Sequence, residues 1–232
     1  MNSLTSQREF LYYEWLIFDN CNLRCSYCIN KGEYSHKKKE DILYIEGKEI
    51  DVANKISELS SIAENIVINF TGGEPLLAKH FSEVLKILYD VDNLKLQMYT
   101  NFVHPEKLQG YIGKFNKIIV SLHVKYRDEK EIDRLIASIN EFKTGNNLII
   151  SQLDYNLDKE DRQKLEKVSL KTGLPIDFQT FIPSWTEEGK IENSKEILDY
   201  SFKKSLSKRC SLGYFCFFLR PDGTFFYDLW CD

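Results

Sequence analysis

Three cysteines near the beginning of the sequence are its clearest chemical signal. The segment CNLRCSYC separates Cys21, Cys25 and Cys28 by gaps of three and two residues. Soft thiolate ligands favour zinc, copper(I) or iron–sulfur clusters. Zinc sites commonly take four ligands arranged as two separated pairs, and no second pair lies near residue 28. Three thiols match three corners of a 4Fe-4S cubane, whose fourth iron is then free to bind and activate a small molecule.

The composition argues against a nucleic-acid-binding protein, a membrane-spanning protein and a disulfide-stabilised protein. The chain has 232 residues, six cysteines and a formal net charge of −4. The charge gives no basic field for nucleic acid, and no apolar run is long enough to span a membrane. Because the N-terminus has no cleavable signal, we expect a cytoplasmic protein with reduced thiols, so that metal binding or catalysis is favoured over disulfides.

The middle of the chain alternates strand-like and helix-like segments, which is typical of βα units around a parallel sheet. Apolar runs of strand length cover residues 13–18, 66–70, 94–99, 118–122, 148–153 and 176–181. Helical periodicity is clearest over residues 81–89, 131–142 and 158–171. We therefore predict an α/β fold, a partial (β/α)6 barrel of TIM type, over residues 10–182.

The last part of the chain departs from this alternation. We predict a linker with one helix over residues 183–209 and a small module over residues 210–232. In this module, two aromatic segments flank the turn tripeptide Pro221-Asp222-Gly223, which predicts a β-hairpin. Cys210, Cys216 and Cys231 form a second triad there, so the C-terminal β-hairpin is predicted to be a cluster-binding module.

Polar residues follow the predicted strands at their carboxyl ends, where βα loops converge in a barrel. The segment Thr71-Gly72-Gly73-Glu74-Pro75 follows the second strand. Its glycines would let backbone approach a ligand closely, and its acidic residue could meet an ammonium group. A plain turn is the alternative interpretation of this segment. The polar residues at the ends of later strands are Thr100, Asn101, Ser121, His123, Gln152, Asp154 and Gln179.

Taken together, the first triad with Tyr27 and the GGEP segment resemble the CxxxCx(aromatic)C and GGE motifs of radical SAM enzymes. The resemblance implies a 4Fe-4S cluster on the first triad, S-adenosylmethionine on its open iron, and an external electron donor such as flavodoxin or ferredoxin. It further implies S-adenosylmethionine contacts from three regions of the chain. These are Tyr27 and Phe181 at the adenine, Thr71, Gly72, Gly73 and Glu74 at the methionine amino group, and Thr100, Asn101 and Ser121 at the ribose, with Gln152 as a further candidate.

His123 is the candidate acid, base or hydrogen donor beside the three catalytic cysteines. A lone histidine after a strand is more often a hydrogen-bonded rim residue, and Asp154 and Tyr155 are equivalent candidates. The sequence does not choose among these three residues.

The second triad resembles the twitch extension, a shortened form of the SPASM module that holds auxiliary 4Fe-4S clusters. The resemblance implies at most one auxiliary cluster, hence two 4Fe-4S clusters in total. Its fourth corner would be open, filled by substrate, or bound by Asp228, Asp232 or the C-terminal carboxylate. A zinc staple, or cysteines buried in an aromatic hairpin, is the alternative.

The resemblance predicts cleavage of S-adenosylmethionine for C–H activation of a substrate. Ribosomally made peptides are the first choice of substrate, and a sugar or nucleotide dehydrogenase or cyclase is the second. A glycyl-radical activase and a non-enzymatic electron-transfer or zinc module are further alternatives. About ten residues precede the first strand, so we expect a peptide to dock directly or through a separate recognition protein.

Overall fold

The computed structural model describes residues 8–28, 44–143, 147–180 and 216–226. Its strands form one sheet in the order β6-β5-β4-β3-β2-β1-β7-β8. Each of the first five strands pairs in parallel with the next one along the chain. They are β1 (Arg8–Phe18), β2 (Ala63–Gly72), β3 (Leu94–Thr100), β4 (Phe115–Ser121), β5 (Leu148–Asp154) and β6 (Ile176–Thr180), followed by β7 (Cys216–Leu219) and β8 (Phe225–Phe226).

Four α-helices are described, and the side of the sheet that faces them carries the core. They are α1 (Lys48–Glu58), α2 (Phe81–Tyr89), α3 (Glu129–Phe142) and α4 (Lys159–Thr172). Alternate residues of a strand face opposite sides of a sheet, and the alternation places Trp15, Phe70 and Met98 on the helix side, each no more than 1% exposed. The opposite side of the sheet would be the concave side of a partial barrel, and we call it the concave side; in a barrel of this type it can line a site.

Local sequence explains where the helices begin. Asp128 caps α3 and Asp158 caps α4, each in a capping box with the residue three positions later. The structure adds α1, which the sequence analysis did not predict. Its N-cap is Gly47, in a left-handed conformation and without a side-chain hydrogen bond, so the usual polar start signal is missing there.

The six-stranded α/β prediction is confirmed, and the sheet is open in the part of the chain that the structure describes. Its two outermost strands, β6 and β8, each have one neighbour within the sheet. This arrangement agrees with a partial TIM-type barrel. Within the same residues, no helix is both long and apolar enough to cross a membrane.

The predicted hairpin is also present, and it continues the same sheet. β7 and β8 are antiparallel around the turn at Pro221–Gly223, and β7 pairs in parallel with β1. The second-triad residue Cys216 begins β7, with Tyr12 as its Cα partner. Cys210, Cys231, Phe181 and the predicted linker helix lie outside the described residues.

Candidate functional site

The cysteine loop begins immediately after β1, at the carboxyl edge of the sheet. Asn20 orients its start by accepting a hydrogen bond from the backbone N–H of Cys21 (2.8 Å). A turn near its end joins the Cys28 N–H to the Cys25 carbonyl (3.1 Å). Cys25 is buried, whereas Cys21 and Cys28 are partly exposed. The three thiols therefore lie on one short, partly open loop.

The two glycines after β2 bring this loop and the GGEP segment together. A Cβ on Gly73 would lie 2.1 Å from the carbonyl oxygen of Asn20, and one on Gly72 would lie 2.5 Å from that of Phe18. The Gly73 N–H donates to the Phe18 carbonyl (2.7 Å) and the Glu74 N–H to the Asn20 carbonyl (2.8 Å). In this structure the close approach is thus to the backbone that leads into the cysteine loop.

Glu74 is buried at the centre of this contact and is satisfied by the protein itself. Its carboxylate accepts hydrogen bonds from the Thr100 hydroxyl (2.6 Å), the Asn101 backbone N–H (2.6 Å) and the Leu76 backbone N–H (3.1 Å). Burial raises the pKa of Glu74 to about 6, with these hydrogen bonds acting in the opposite direction. The carboxylate connects the ends of β2 and β3 and caps the turn that follows it.

Asn101 links this buried carboxylate to the first cysteine. Its side-chain Nδ2 donates to the Asn22 side chain (2.7 Å) and lies 3.5 Å from Cys21 Sγ. Its Oδ1 is buried, and none of the described residues forms a hydrogen bond with it. An unpaired buried acceptor is costly unless a ligand supplies a donor, which suits a residue proposed to contact a ribose hydroxyl.

Arg127, a residue not predicted from the sequence, is a buried cation beside the thiols. Its side chain is 8% exposed, and it donates from Nε to the Leu122 carbonyl (2.7 Å) and from Nη2 to the Asn101 carbonyl. Burial lowers the pKa of Arg127. The negative charges of Glu131 and Glu74, and those of Cys25 and Cys21 in their ionised form, act in the opposite direction. Its sequence position, after the predicted strand and before a helix, gave no signal of burial.

Tyr27 lies in an aromatic cluster formed by residues far from it in sequence. Its ring is 5.8 Å from that of His123, 5.5 Å from that of Tyr126 and 6.1 Å from that of Tyr155. The Tyr126 hydroxyl holds the loop by accepting a hydrogen bond from the backbone N–H of Ser26 (2.7 Å). The cluster fixes one wall of the cysteine loop.

His123 forms part of this wall and is uncharged at neutral pH. Its Nδ1 lies 2.9 Å from the Tyr27 hydroxyl. Burial, together with the charge of Arg127, lowers the pKa of His123 to about 4. Its backbone has a φ of 47°, in the left-handed region. The structure therefore places His123 beside the cysteine loop as a neutral hydrogen-bonding group.

The remaining predicted residues lie near the carboxyl ends of their strands and differ in burial. Gln152 is 2% exposed, accepts a hydrogen bond from the Val124 N–H (3.3 Å) and contacts Tyr27. Thr71 and Ser121 are partly exposed, and their strand positions place them on the concave side. Asp154 is exposed at the end of β5.

The thiols influence one another electrostatically. Burial raises the pKa of Cys25 to about 12, and the charges of Cys21 and Cys28 add to that effect. Burial likewise raises the pKa of Cys21. Within the described ranges, no group of three or more His, Cys, Asp or Glu residues is arranged around a single metal ion. A cubane places each thiolate on a different iron and holds the sulfurs farther apart, so it does not require that arrangement.

The chain matches a known protein family over more than half of its length. The sequence profile of the Radical SAM superfamily matches residues 15–144, which include the cysteine loop, the GGEP segment and Arg127. The chain belongs to the Radical SAM superfamily, and it is an enzyme. The family implies a 4Fe-4S cluster and S-adenosylmethionine.

Curated relatives of this chain include proteins named GTP 3',8-cyclase. It is 27% identical over 188 residues to a GTP 3',8-cyclase of Haemophilus influenzae (strain Rd), covering 80% of this chain and 52% of the relative. It is 35% identical over 98 residues to the GTP 3',8-cyclase of Moorella thermoacetica, covering 42% of this chain and 29% of the relative. The chain thus spans about half the length, or less, of these curated relatives.

Solved structures share the fold at low sequence identity. Streptococcus suis SuiB bound to S-adenosylmethionine superposes with a TM-score of 0.62 at 13% identity, covering 96% of this chain and 61% of that one. The structure of anSMEcpe with bound AdoMet gives 0.61 at 16% identity, covering 95% and 71%. SuiB has also been solved with its precursor peptide SuiA. At these identities, the likeness concerns the fold.

The residues present fit the cofactors that the family implies. Three soft thiols on one loop match the donor set of a cubane with an open iron. The unpaired Oδ1 of Asn101 offers an acceptor beside Cys21, and the buried Arg127 adds a positive charge near thiolates that carry negative charge when they bind metal. Cys21, Cys25 and Cys28 would hold the cluster.

Proposed function

We propose that this enzyme reductively cleaves S-adenosylmethionine at the cluster held by Cys21, Cys25 and Cys28. When bound, the cluster and S-adenosylmethionine would supply a 5'-deoxyadenosyl radical that abstracts hydrogen from a substrate. The observation that carries the proposal is the contact between the cysteine loop and the GGEP segment, where Gly73 packs directly on Asn20. This contact fixes the thiols at the carboxyl edge of the sheet, where βα loops converge in barrel enzymes.

The protein's own groups have separate tasks in this scheme. Tyr27, held by its aromatic neighbours, would face the adenine. Asn101 would receive a ribose hydroxyl on its unpaired Oδ1, with Ser121 and Thr100 nearby on neighbouring strands. Because both Glu74 carboxylate oxygens accept hydrogen bonds from the protein, the methionine amino group would meet the backbone of the Gly72–Gly73 segment.

The test is anaerobic reconstitution followed by incubation with S-adenosylmethionine and dithionite. We expect methionine and 5'-deoxyadenosine from the wild type, and neither from Cys25→Ala. Ser61→Ala serves as the control, because Ser61 is exposed and follows helix α1, far from the cysteine loop in the sequence. This variant should form both products. Equal product from wild type and Cys25→Ala would refute the proposal. Replacing dithionite by reduced flavodoxin or ferredoxin tests the expected electron donor.

A second cluster at the C-terminal triad is a separate part of the proposal. Cys210, Cys216 and Cys231 would hold one auxiliary 4Fe-4S cluster, with its fourth ligand drawn from the alternatives given above. The placement of Cys216 beside β1 supports a position next to the barrel. We expect about eight irons per chain, falling to about four in the Cys210→Ala/Cys216→Ala variant, because each cubane contains four irons. Four irons in both proteins would remove the auxiliary site.

For the substrate, a ribosomally made peptide is our first candidate, modified by a crosslink, a thioether or epimerisation. The open concave side supports it, since an extended chain needs an accessible groove. A nucleotide is the second candidate, because the sequence relatives include proteins named GTP 3',8-cyclase. Incubating the reconstituted enzyme with GTP, and separately with a peptide library, and following mass changes would distinguish the two. A separate peptide-recognition protein remains part of the first candidate.

A further inference from the structure

A row of polar side chains crosses the concave side of the sheet in its interior. Glu14 on β1 is the Cα partner of Asn69 on β2, and Asn69 is the partner of Gln97 on β3. Partner residues in neighbouring strands point to the same side of a sheet. Because Trp15 and Phe70, the next residues along, face the helices, Glu14 and Asn69 face the concave side.

Such a row is unusual for the inside of a barrel. Barrel interiors are normally filled by bulky branched residues, and strands buried on both faces are nearly all apolar. Here, Tyr99 on the same side is 41% exposed. The row lies two residues before the end of β2 at Thr71 and Gly72, so it lies deeper in the barrel than the proposed S-adenosylmethionine contacts.

Glu14 is held in place by neutral donors. Asn69 Nδ2 donates to both of its carboxylate oxygens (3.0 and 2.9 Å), and the Tyr12 hydroxyl donates to Oε2 (3.1 Å). Asn69 is 2% exposed and its Oδ1 has no hydrogen-bond partner within the described part of the chain, whereas Glu14 is only partly buried. The carboxylate is thus oriented by a cross-strand neighbour and by a residue of its own strand, and it remains partly exposed.

The charge of Glu14 lacks a cationic partner among residues that the structure describes. No Lys, Arg or His forms an ion pair with it there, and burial raises the pKa of Glu14 against the effect of its two hydrogen-bond donors. A carboxylate offers about four acceptor sites and three are engaged. An ionised group in a partly desolvated position is stabilised by an opposite charge, and a bound ligand can provide one.

We propose that Glu14 is a substrate-binding residue that recognises the ammonium or guanidinium group of a basic side chain in a peptide substrate. The inference rests on the proposed function and specifies its substrate class. A nucleoside triphosphate would bring several negative charges close to this carboxylate, and like charges in such a position disfavour binding. Lys117 on β4, the Cα partner of Gln97, also belongs to the row, but it lies three strands away from Glu14. The geometry therefore favours the peptide candidate over the nucleotide.

The experiment uses the reconstituted holoenzyme with S-adenosylmethionine and three synthetic peptide libraries. The libraries are identical except that one fixed position carries Lys, norleucine or Glu, and GTP serves as a fourth probe. We expect the wild type to retain the Lys library at least about tenfold better than the norleucine library, and to retain GTP and the Glu library least. Glu14→Gln should abolish the Lys preference, and Glu14→Asp should retain part of it.

Glu64→Gln is the matched control. Glu64 is an exposed residue of β2, so the variant loses the same charge outside the concave row and should keep the Lys preference. If Glu14→Gln does not fold, the comparison of the wild type with the three libraries and GTP still decides the question. Equal retention of Lys and norleucine peptides, or tighter retention of GTP, would overturn the inference. Formation of 5'-deoxyadenosine by the wild type, measured in parallel, shows separately whether the proposed function stands.

Discussion

Replacing Gly73 by Ala tests the contact on which the site depends. The added Cβ would lie 2.1 Å from the Asn20 carbonyl oxygen, 2.5 Å from its carbonyl carbon and 2.8 Å from its nitrogen. All three are backbone atoms, so no side chain can rotate away. Relief requires a backbone shift of about 1 Å or more, since overpacked atoms move apart until they reach ordinary van der Waals contact.

The energetic cost follows from what that shift disturbs. Overpacking of this kind costs about 1–3 kcal/mol. The two backbone hydrogen bonds to Phe18 and Asn20, at 2.7 and 2.8 Å, would each lose part of their contribution of about 0.5–1.5 kcal/mol. We therefore expect Gly73→Ala to lower the free energy of unfolding by about 2–4 kcal/mol, which corresponds to a drop in Tm of roughly 5–15 °C for a domain of this size.

The assay is urea denaturation of the anaerobically purified protein, together with iron content per chain. Gly113→Ala is the matched control, because a Cβ at Gly113 meets no atom within 4 Å and its φ is not in the left-handed region. The control should unfold like the wild type and retain its iron, whereas Gly73→Ala should lose both stability and iron. Identical curves and iron contents for the two variants would refute the reasoning.

Three further predictions concern the surroundings of the cysteine loop. Arg127→Met should make the midpoint potential of the first cluster more negative by roughly 50–100 mV, because a buried positive charge near the thiolates favours the electron-rich state; an EPR-monitored redox titration would show it, and exposed Arg134→Met should leave the potential unchanged. The pKa of His123 is about 4 in the folded chain and 6.5 in the ordinary, unfolded state. Between these values the unfolded chain binds a proton that the folded chain does not bind. The contribution of His123 to the free energy of unfolding is therefore fully present above pH 6.5 and is lost as the pH falls toward 4. Between pH 7.5 and 5 this loss should be about 2 kcal/mol in urea denaturation and largely absent in His123→Asn, which tolerates the left-handed backbone; parallel pH profiles would contradict it. Tyr126→Phe removes the hydroxyl that accepts from Ser26 N–H and should cost about 1 kcal/mol of stability, measured by thermal unfolding; an unchanged Tm would argue against this role.

Sequence patterns were sufficient where a local signal and the fold agreed. The six parallel strands were predicted because each apolar run is bounded by turn residues and separated by a crossover. The hairpin was predicted because Pro221, Asp222 and Gly223 favour a turn. Helix α1 was missed because its N-cap is Gly47, which has no side chain to signal the start of a helix.

The type of metal centre could also be predicted from local sequence. The spacing of Cys21, Cys25 and Cys28 with the GGEP segment identified the superfamily, because thiol number and spacing decide which metal centre a short loop can hold. The glycines of the GGEP segment were expected to let backbone approach a ligand, whereas the backbone that they approach in the structure is that of Phe18 and Asn20. The particular substrate is not written in these motifs.

Only the tertiary structure placed Arg127 and the row that contains Glu14. Neither residue belongs to a motif, and burial of a charge depends on which strands and helices cover it. The register of β1 against β2 aligned Glu14 with Asn69 on the concave side, and a shift of β1 by one residue would have turned Glu14 toward the helices. Local spacing thus specified the metal-binding chemistry, whereas the electrostatic surroundings of the thiols and of the concave side arose from contacts between residues distant in the chain.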